Sequence, residues 1–199
     1  MPGRVLRVFA PDIHGHLRLT AEIEDFAGNT RRTFRIREGR YAALGAPAQG
    51  DFLDDETLAA LAEAEGEIRA RAKAESLLSY GDNSANGLCR KLRQRGYSQE
   101  NAEAAVAEML QKGYIREEEQ AYRLAVIAAN RKCWGPRRIV ADLAHKGYPA
   151  PLVRRVIAQA EAEGEIDFRA SAVRLLEKKY KGEMPDPLTR KRVLYQYGY

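Results

Sequence analysis

The chain has 199 residues, 45% of them hydrophobic and 31% charged, with a formal net charge of +5. That length allows one or two domains and that apolar fraction a packed core. No run of 18 apolar residues offers a membrane span, and the N-terminus MPGRVLRVFAPDIHGH lacks the apolar stretch of a secretion signal. Cys89 and Cys133 have no CxxC partner and no metal-like spacing. The expectation is a cytoplasmic monomer, without membrane attachment, whose two thiols are small buried or half-buried side chains.

Residues 4–37 alternate with period two: Val5, Arg7 and Phe9 against Leu6 and Val8, Leu17, Leu19, Ala21 and Ile23 against Arg18, Thr20, Glu22 and Glu24. With Ala27-Gly28-Asn29-Thr30 as a turn, this predicts a small β-hairpin or three-stranded meander. Residues 39–52 are rich in Gly, Ala and Pro and read as a connector with room for one short strand. A leading helix then begins near Asp54-Asp55-Glu56, where acidic residues suit the positive end of the helix dipole. The heptapeptide AEAEGEI occurs at 62–68 and again at 160–166. Each copy predicts a helix end, with the glycine as a left-handed terminator and the isoleucine returning to the core.

From there a period of 51 residues governs the chain. Gly96-Tyr97, Gly147-Tyr148 and Gly198-Tyr199 keep that interval, as do Leu92, Leu143 and Leu194. Fixed-period self-similarity marks supersecondary units that bury their apolar faces only by stacking. The first unit is read at 69–119, with helices near 69–80 and 85–95 and a third capped by Ser98 that buries Ala102, Ala105, Val106, Met109 and Leu110. The second, at 120–167, places Val153, Val156, Ile157 and Ala160 in the same register. The third, 168–199, opens with Ala172, Leu175 and Leu176, passes a loop containing Pro185 and Pro187, and forms a short helix over 190–197. Tyr199 falls where its third helix is expected to begin. The expected fold is mainly α: tandem three-helix repeats in an elongated curved array, after a β segment with connector at 1–52 and a leading helix at 53–68.

Charge divides unevenly. Residues 1–119 carry 17 Lys/Arg and 20 Asp/Glu, a net of −3, and residues 120–199 carry 16 and 8, a net of +8. A basic C-terminal half attracts polyanions or an acidic protein surface with a salt-sensitive on-rate. Solvated helix faces explain the same charges equally well.

These residues resemble the RecX family. The core Gly-x-x-x-Ile-x-x-x-Leu-x-x-Lys-Gly stands here as WGPRRIVADLAHKGY at 134–148, with a first-repeat counterpart SANGLCRKLRQRGY at 84–97. The resemblance spans about 54–199, and its specificity lies in the order and phasing of loose motifs. It implies a non-catalytic regulator that binds in the groove of the RecA–DNA filament, blocks extension and dampens strand exchange, ATP hydrolysis and co-protease activity. Lys91 and Leu92 match the family's Lys-Leu pair. In this chain Gly87 precedes Leu88, and Glu117-Glu118-Glu119-Gln120-Ala121 lacks the family's aromatic before Ala.

The candidate contact residues are basic. Arg131, Lys132, Arg137 and Arg138 flank Trp134, and Arg and Trp are enriched at interface hot spots. Trp134 serves equally as an anchor between two helices. Arg90, Lys91, Arg93 and Arg95 form a second cluster, in which the Lys91 stem either meets a partner or covers a neighbouring helix. Lys146 joins the candidates, and Arg154 and Arg155 either extend the stripe or belong to a simple solvated face. Tyr97, Tyr148 and Tyr199 recur at the repeat period, which favours packing over ligand stacking. Asp12, His14 and His16 lack the further ligands a zinc site needs. No phosphate-binding loop, nucleophile elbow or dinucleotide fingerprint occurs, so neither an enzyme nor a cofactor is expected. The competing reading is direct binding of single- or double-stranded DNA through the basic half, because three-helix units also resemble helix-turn-helix modules.

Overall fold

The computed structural model describes residues 2–25, 28–181 and 183–199. It is mainly helical, with a four-stranded antiparallel sheet at the N-terminus. Packing divides it into two units, one of residues 1–79 and 91–109, the other of residues 80–90 and 110–199.

In the first unit the strands are β1 (Gly3–Phe9), β2 (His16–Asp25), β3 (Gly28–Arg37) and β4 (Phe52–Leu53), in the order β3-β2-β1-β4. Alternation sends Leu17, Leu19 and Ala21 of β2 and Phe34 and Ile36 of β3 to one face. There they meet Leu61 and Ala64 of helix α2 (Asp55–Ser79). Burying a side chain the size of Phe34 or Ile36 contributes about 1.5–3 kcal/mol. Arg32 of β3 reaches Glu65 at 3.1 Å, and Arg37 reaches Glu67 at 3.4 Å and Glu108 at 3.2 Å.

One strand expectation changes, and the connector gains a helix. Of the expected turn, Ala27 lies outside the described residues, and Gly28, Asn29 and Thr30 belong to β3, where Thr30 pairs with Ile23. The connector holds a short helix, α1 (Glu38–Ala43), besides the two residues of β4.

The helix expected to stop at Gly66 runs on to Ser79. The physical reason is Asn101, whose amide nitrogen would lie 2.7 Å from a Cβ built on Gly66. Asn101 donates to the Glu63 carbonyl at 3.1 Å and is buried. The glycine therefore provides space for a packed side chain and leaves the helix unbroken. In the second copy of AEAEGEI, Gly164 has φ +76° and ends its helix as expected.

The remaining helices are α3 (Ala85–Arg93), α4 (Gln99–Gln111), α5 (Glu117–Lys132), α6 (Pro136–His145), α7 (Ala150–Ala162), α8 (Phe168–Tyr180) and α9 (Pro187–Gln196). Their starts fall in step: 85, 136 and 187; 99 and 150; 117 and 168. Each interval is 51 residues. Local chemistry sets these starts. Ser98 accepts from the Asn101 amide at 3.1 Å, Asp167 from Ala170 at 2.9 Å, and Asp186 from Leu188 at 2.9 Å and Thr189 at 3.1 Å. Pro187, expected in a loop, is the first residue of α9, where its fixed φ and missing N–H are tolerated. Leu110 is 44% exposed and does not join the buried face of α4. It follows Met109 by one residue and so turns about 100° away from the buried stripe.

In the second unit Ala121, Ala125, Ala128 and Ala129 line one face of α5 and pack against Ile139, Leu143, Val153, Val156 and Ile157. Cys133, Leu175, Leu176 and Val193 form a further cluster, and Cys89 is half-buried.

Candidate partner-binding interface

The Gly-Tyr pairs position what surrounds them. Gly96, Gly147 and Gly198 have φ +86°, +99° and +90°. The amides of Tyr97, Tyr148 and Tyr199 donate back to Leu92, Leu143 and Leu194 at 3.4, 3.0 and 3.1 Å. These left-handed stops turn the chain out of a helix and satisfy a terminal carbonyl.

Two of the stops press on a helix start in the second unit. Ser84 donates to the Lys146 carbonyl at 2.7 Å and accepts from the Gly87 amide at 3.0 Å. In the same relation 51 residues on, the Gly135 amide donates to the Tyr197 carbonyl at 2.7 Å and the Arg137 amide to Gly198 at 3.1 Å. A Cβ at Gly135 would lie 2.5 Å from the Gly198 carbonyl, so only glycine admits this approach.

That contact gathers the cations around Trp134. Trp134 is half-buried and packs on the α5–α7 core. The Lys132 ammonium lies 4.3 Å from its ring centroid and the Arg138 guanidinium 4.5 Å. Arg138 also lies 5.1 Å from the Tyr197 ring, and Arg137 lies 4.6 Å from that of Tyr195. Cation–ring contacts of this kind contribute about 0.5–1 kcal/mol each at exposed sites. Arg137 donates to the main-chain oxygen of Tyr199. Tyr199 in turn donates its hydroxyl to the Cys133 carbonyl at 3.2 Å, and burial before all else pushes it up to about 12. Cys133 itself closes α5 in the left-handed conformation, φ +52°.

Beside this cluster lies an open groove of about 600 Å³, lined by Arg137, Leu176, Pro187, Arg190, Lys191, Leu194, Tyr195 and Tyr199. Tyr195 and Leu188 are each 69% exposed. The arrangement presents an apolar floor under a cationic rim. It suits an acidic surface carrying apolar side chains.

The other expected contact residues occupy separate places. Arg131 is exposed at the end of α5. Arg90 donates to the His145 carbonyl at 3.0 Å, and Lys146 pairs with Asp142 at 2.8 Å. Arg155 is held by Glu118 at 3.1 Å, and Arg154 is exposed on the same helix. Lys91 and Arg93 are exposed and belong to the first unit. Only Lys132, Trp134, Arg137 and Arg138 converge. Sequence reasoning singled out Tyr199 as a packing residue and missed Tyr195, Tyr197 and the groove; the odd spacing of the three tyrosines is the signal that was available. Among the described residues no cluster of His, Cys, Asp and Glu forms a metal site, and no helix is long and apolar enough to cross a membrane.

No family model matches the chain. It is 31% identical to the regulatory protein RecX of Pseudomonas entomophila, over 62% of this chain and 77% of that protein. It is 32% identical to the regulatory protein RecX of Pseudomonas putida, over 62% and 76%. The counterpart from Trichlorobacter lovleyi is 27% identical over 62% and 79%. Among solved structures, a crystal structure of regulatory protein RecX matches 99% of this chain and 94% of its own, with a TM-score of 0.65 at 18% identity. That of RecX from Lactobacillus salivarius matches 68% and 90%, with a TM-score of 0.56 at 16% identity.

Proposed function

The chain belongs to the RecX family of regulatory proteins, and from that premise we propose that it restrains the RecA recombinase. It binds in the groove of the RecA–DNA filament, blocks extension, and lowers strand exchange, ATPase and co-protease activity. It does so by contact and without catalysis, as a cytoplasmic monomer.

The observation that carries this reading is the convergence of Lys132, Arg137 and Arg138 on Trp134 and the C-terminal tyrosines. An aromatic ring under fixed guanidinium planes is the kind of feature that dominates interface energetics. Arg131 and Lys146 widen the contact, with Arg90, Lys91, Arg93, Arg154 and Arg155 as further points. The 51-residue spacing of helix starts supports tandem three-helix units at 69–119, 120–167 and 168–199. Repeated units engaging neighbouring protomers of a polymer raise effective concentration and lengthen residence. A ligand that favours a non-extending filament shifts assembly by mass action.

The test is RecA ATPase and filament length on single-stranded DNA with the purified chain. The wild type inhibits well below equimolar dose. Arg131→Ala/Lys132→Ala stays folded and inhibits poorly, since among the described residues neither side chain holds a hydrogen bond and alanine keeps the backbone bonds of α5. An unchanged ATPase and filament length at equimolar wild type would end this reading. The second reading, DNA binding by the basic half, rests on the net charge of +8 over residues 120–199. A gel shift at two salt concentrations, with and without RecA, separates the two.

A further inference from the structure

The N-terminal sheet has a second face, and its composition is unlike that of the unit around it. Register places Phe52, Arg4, Glu22 and Arg31 in one row across the four strands. A bulge after Val5 resets the alternation of β1, so the next outward row is Arg7, Thr20 and Thr33, and the one after is Phe9, Arg18 and Arg35. Their neighbours Val5, Leu17, Leu19, Ala21, Phe34, Ile36 and Leu53 all point into the core. Five arginines thus share a face with two carboxylates, Glu22 and Glu24, while Asp12 at the rim pairs with Arg35 at 2.7 Å. All five are exposed. This is a cationic surface within a half of the chain whose net charge is −3.

Two phenylalanines on the same face set it apart from a merely solvated sheet. Phe52 is 71% exposed. Phe9 is half-buried, with the Arg7 guanidinium 4.6 Å and the Arg18 guanidinium 4.9 Å from its centroid. Their rows are four residues apart along β2, from Glu22 to Arg18, or roughly 13 Å at the usual strand rise. Between them Thr20 and Thr33 share a hydrogen bond of 2.9 Å, leaving neutral hydroxyls at the centre. A depression of about 150 Å³, whose lining includes Pro2, Arg4, Glu22, Glu24, Asn29 and Phe52, adjoins the first row, so the phosphate contacts are assigned to the arginines outside this lining and its two glutamates.

We infer that this face is a binding platform for single-stranded nucleic acid, distinct from the RecA-directed surface. Guanidinium groups hold the phosphates, and Phe9 and Phe52 stack bases whose π-faces a single strand leaves open. A duplex keeps its bases stacked on each other, so the rings would gain nothing from it. An acidic peptide would satisfy the arginines and leave the rings without stacking partners.

The test uses the full chain with no RecA present, so its outcome is independent of the regulatory reading. Anisotropy is measured with labelled oligo(dT) and oligo(U) of about 20 nucleotides and a duplex of equal length. Salt is varied from about 50 to about 200 mM. Wild type binds the single strands more tightly than the duplex. Arg7→Ala/Arg18→Ala/Arg31→Ala weakens that binding at least about tenfold and shrinks the salt slope by about 2, for three lost phosphate contacts at about 0.7 each. Phe9→Leu/Phe52→Leu costs about tenfold with the slope unchanged, as loss of stacking requires. Circular dichroism confirms that both variants remain folded, and the leucine pair tests the face even if the arginine triple does not fold. The inference fails if folded variants bind as wild type does, if wild type binds no single strand, or if the duplex binds as tightly.

Discussion

A Cβ added at Gly147 would sit 2.6 Å from the backbone nitrogen of Gly87, sixty residues earlier in the chain. Gly147 also has φ +99°, so two independent constraints exclude a side chain there. Gly147→Ala is expected to cost about 3 kcal/mol, combining a left-handed penalty of about 1–2 with overpacking of about 1–3. Gly96→Ala, with a similar φ and open space around its Cβ position, should cost only the first of these. Urea melts followed by circular dichroism compare the two, and equal losses would refute the close-approach argument.

Gly66 yields a change of sign. Alanine in a helix interior is favoured over glycine by about 1 kcal/mol. In the native background its Cβ would displace the Asn101 amide from the Glu63 carbonyl, so Gly66→Ala should destabilise by about 1 kcal/mol net. In an Asn101→Ala background the same change should stabilise by about 1 kcal/mol. A double-mutant cycle measures the coupling, and additivity would disprove it.

Asp12 offers a pH test. The His16 backbone amide first, then that of His14 and the Arg35 guanidinium, lower its carboxyl to about 2. A depressed acid stabilises the fold above its unfolded pKa, near about 3.9, and this is lost as pH falls through about 2. Carbon-detected NMR should place the Asp12 midpoint near 2. Arg35→Ala should raise it only in part, because both amides remain. A midpoint in the ordinary carboxylate range for the wild type would contradict the loop geometry.

Trp134 is the chain's one tryptophan and reports on its own site. Lys132→Ala and Arg138→Ala each remove a cation from its ring. Each should expose the indole further to acrylamide and cost about 0.5–1 kcal/mol. Arg138→Ala should do more, since it also removes one of the two cations over Tyr197. Quenching identical to wild type in both would place the cations elsewhere in solution.

Much of the fold was written in local pattern. The strands showed their period-two alternation, and Leu92, Leu143 and Leu194 showed the 51-residue period that the helix starts at 85, 136 and 187 keep, although Pro187 itself reads as loop. What escaped was non-local. Gly66 looks like a terminator until Asn101 is folded over it, and no local signal says that Phe52 joins Arg4 across a two-residue strand. The candidate interface divides in the same way. Lys132, Trp134 and Arg138 are near neighbours in sequence and were found. Tyr195 and Tyr197 reach them through the contact of Gly135 with Gly198 and were not, and Tyr199 was read for packing alone. Arg155, read either as part of the stripe or as a solvated face, meets Glu118, a pairing that charge counts do not reveal.

The twice-used heptapeptide bears on how the protein can be probed immunologically. At 160–166 it crosses a helix end with Glu161 to Glu165 exposed, whereas at 62–68 it is part of an unbroken helix whose members are buried or half-buried. Serum raised against the free peptide would therefore see one epitope on the native molecule and two after denaturation. That doubling on a blot, against a single-site stoichiometry in solution, would give a simple readout of whether the first copy has come undone.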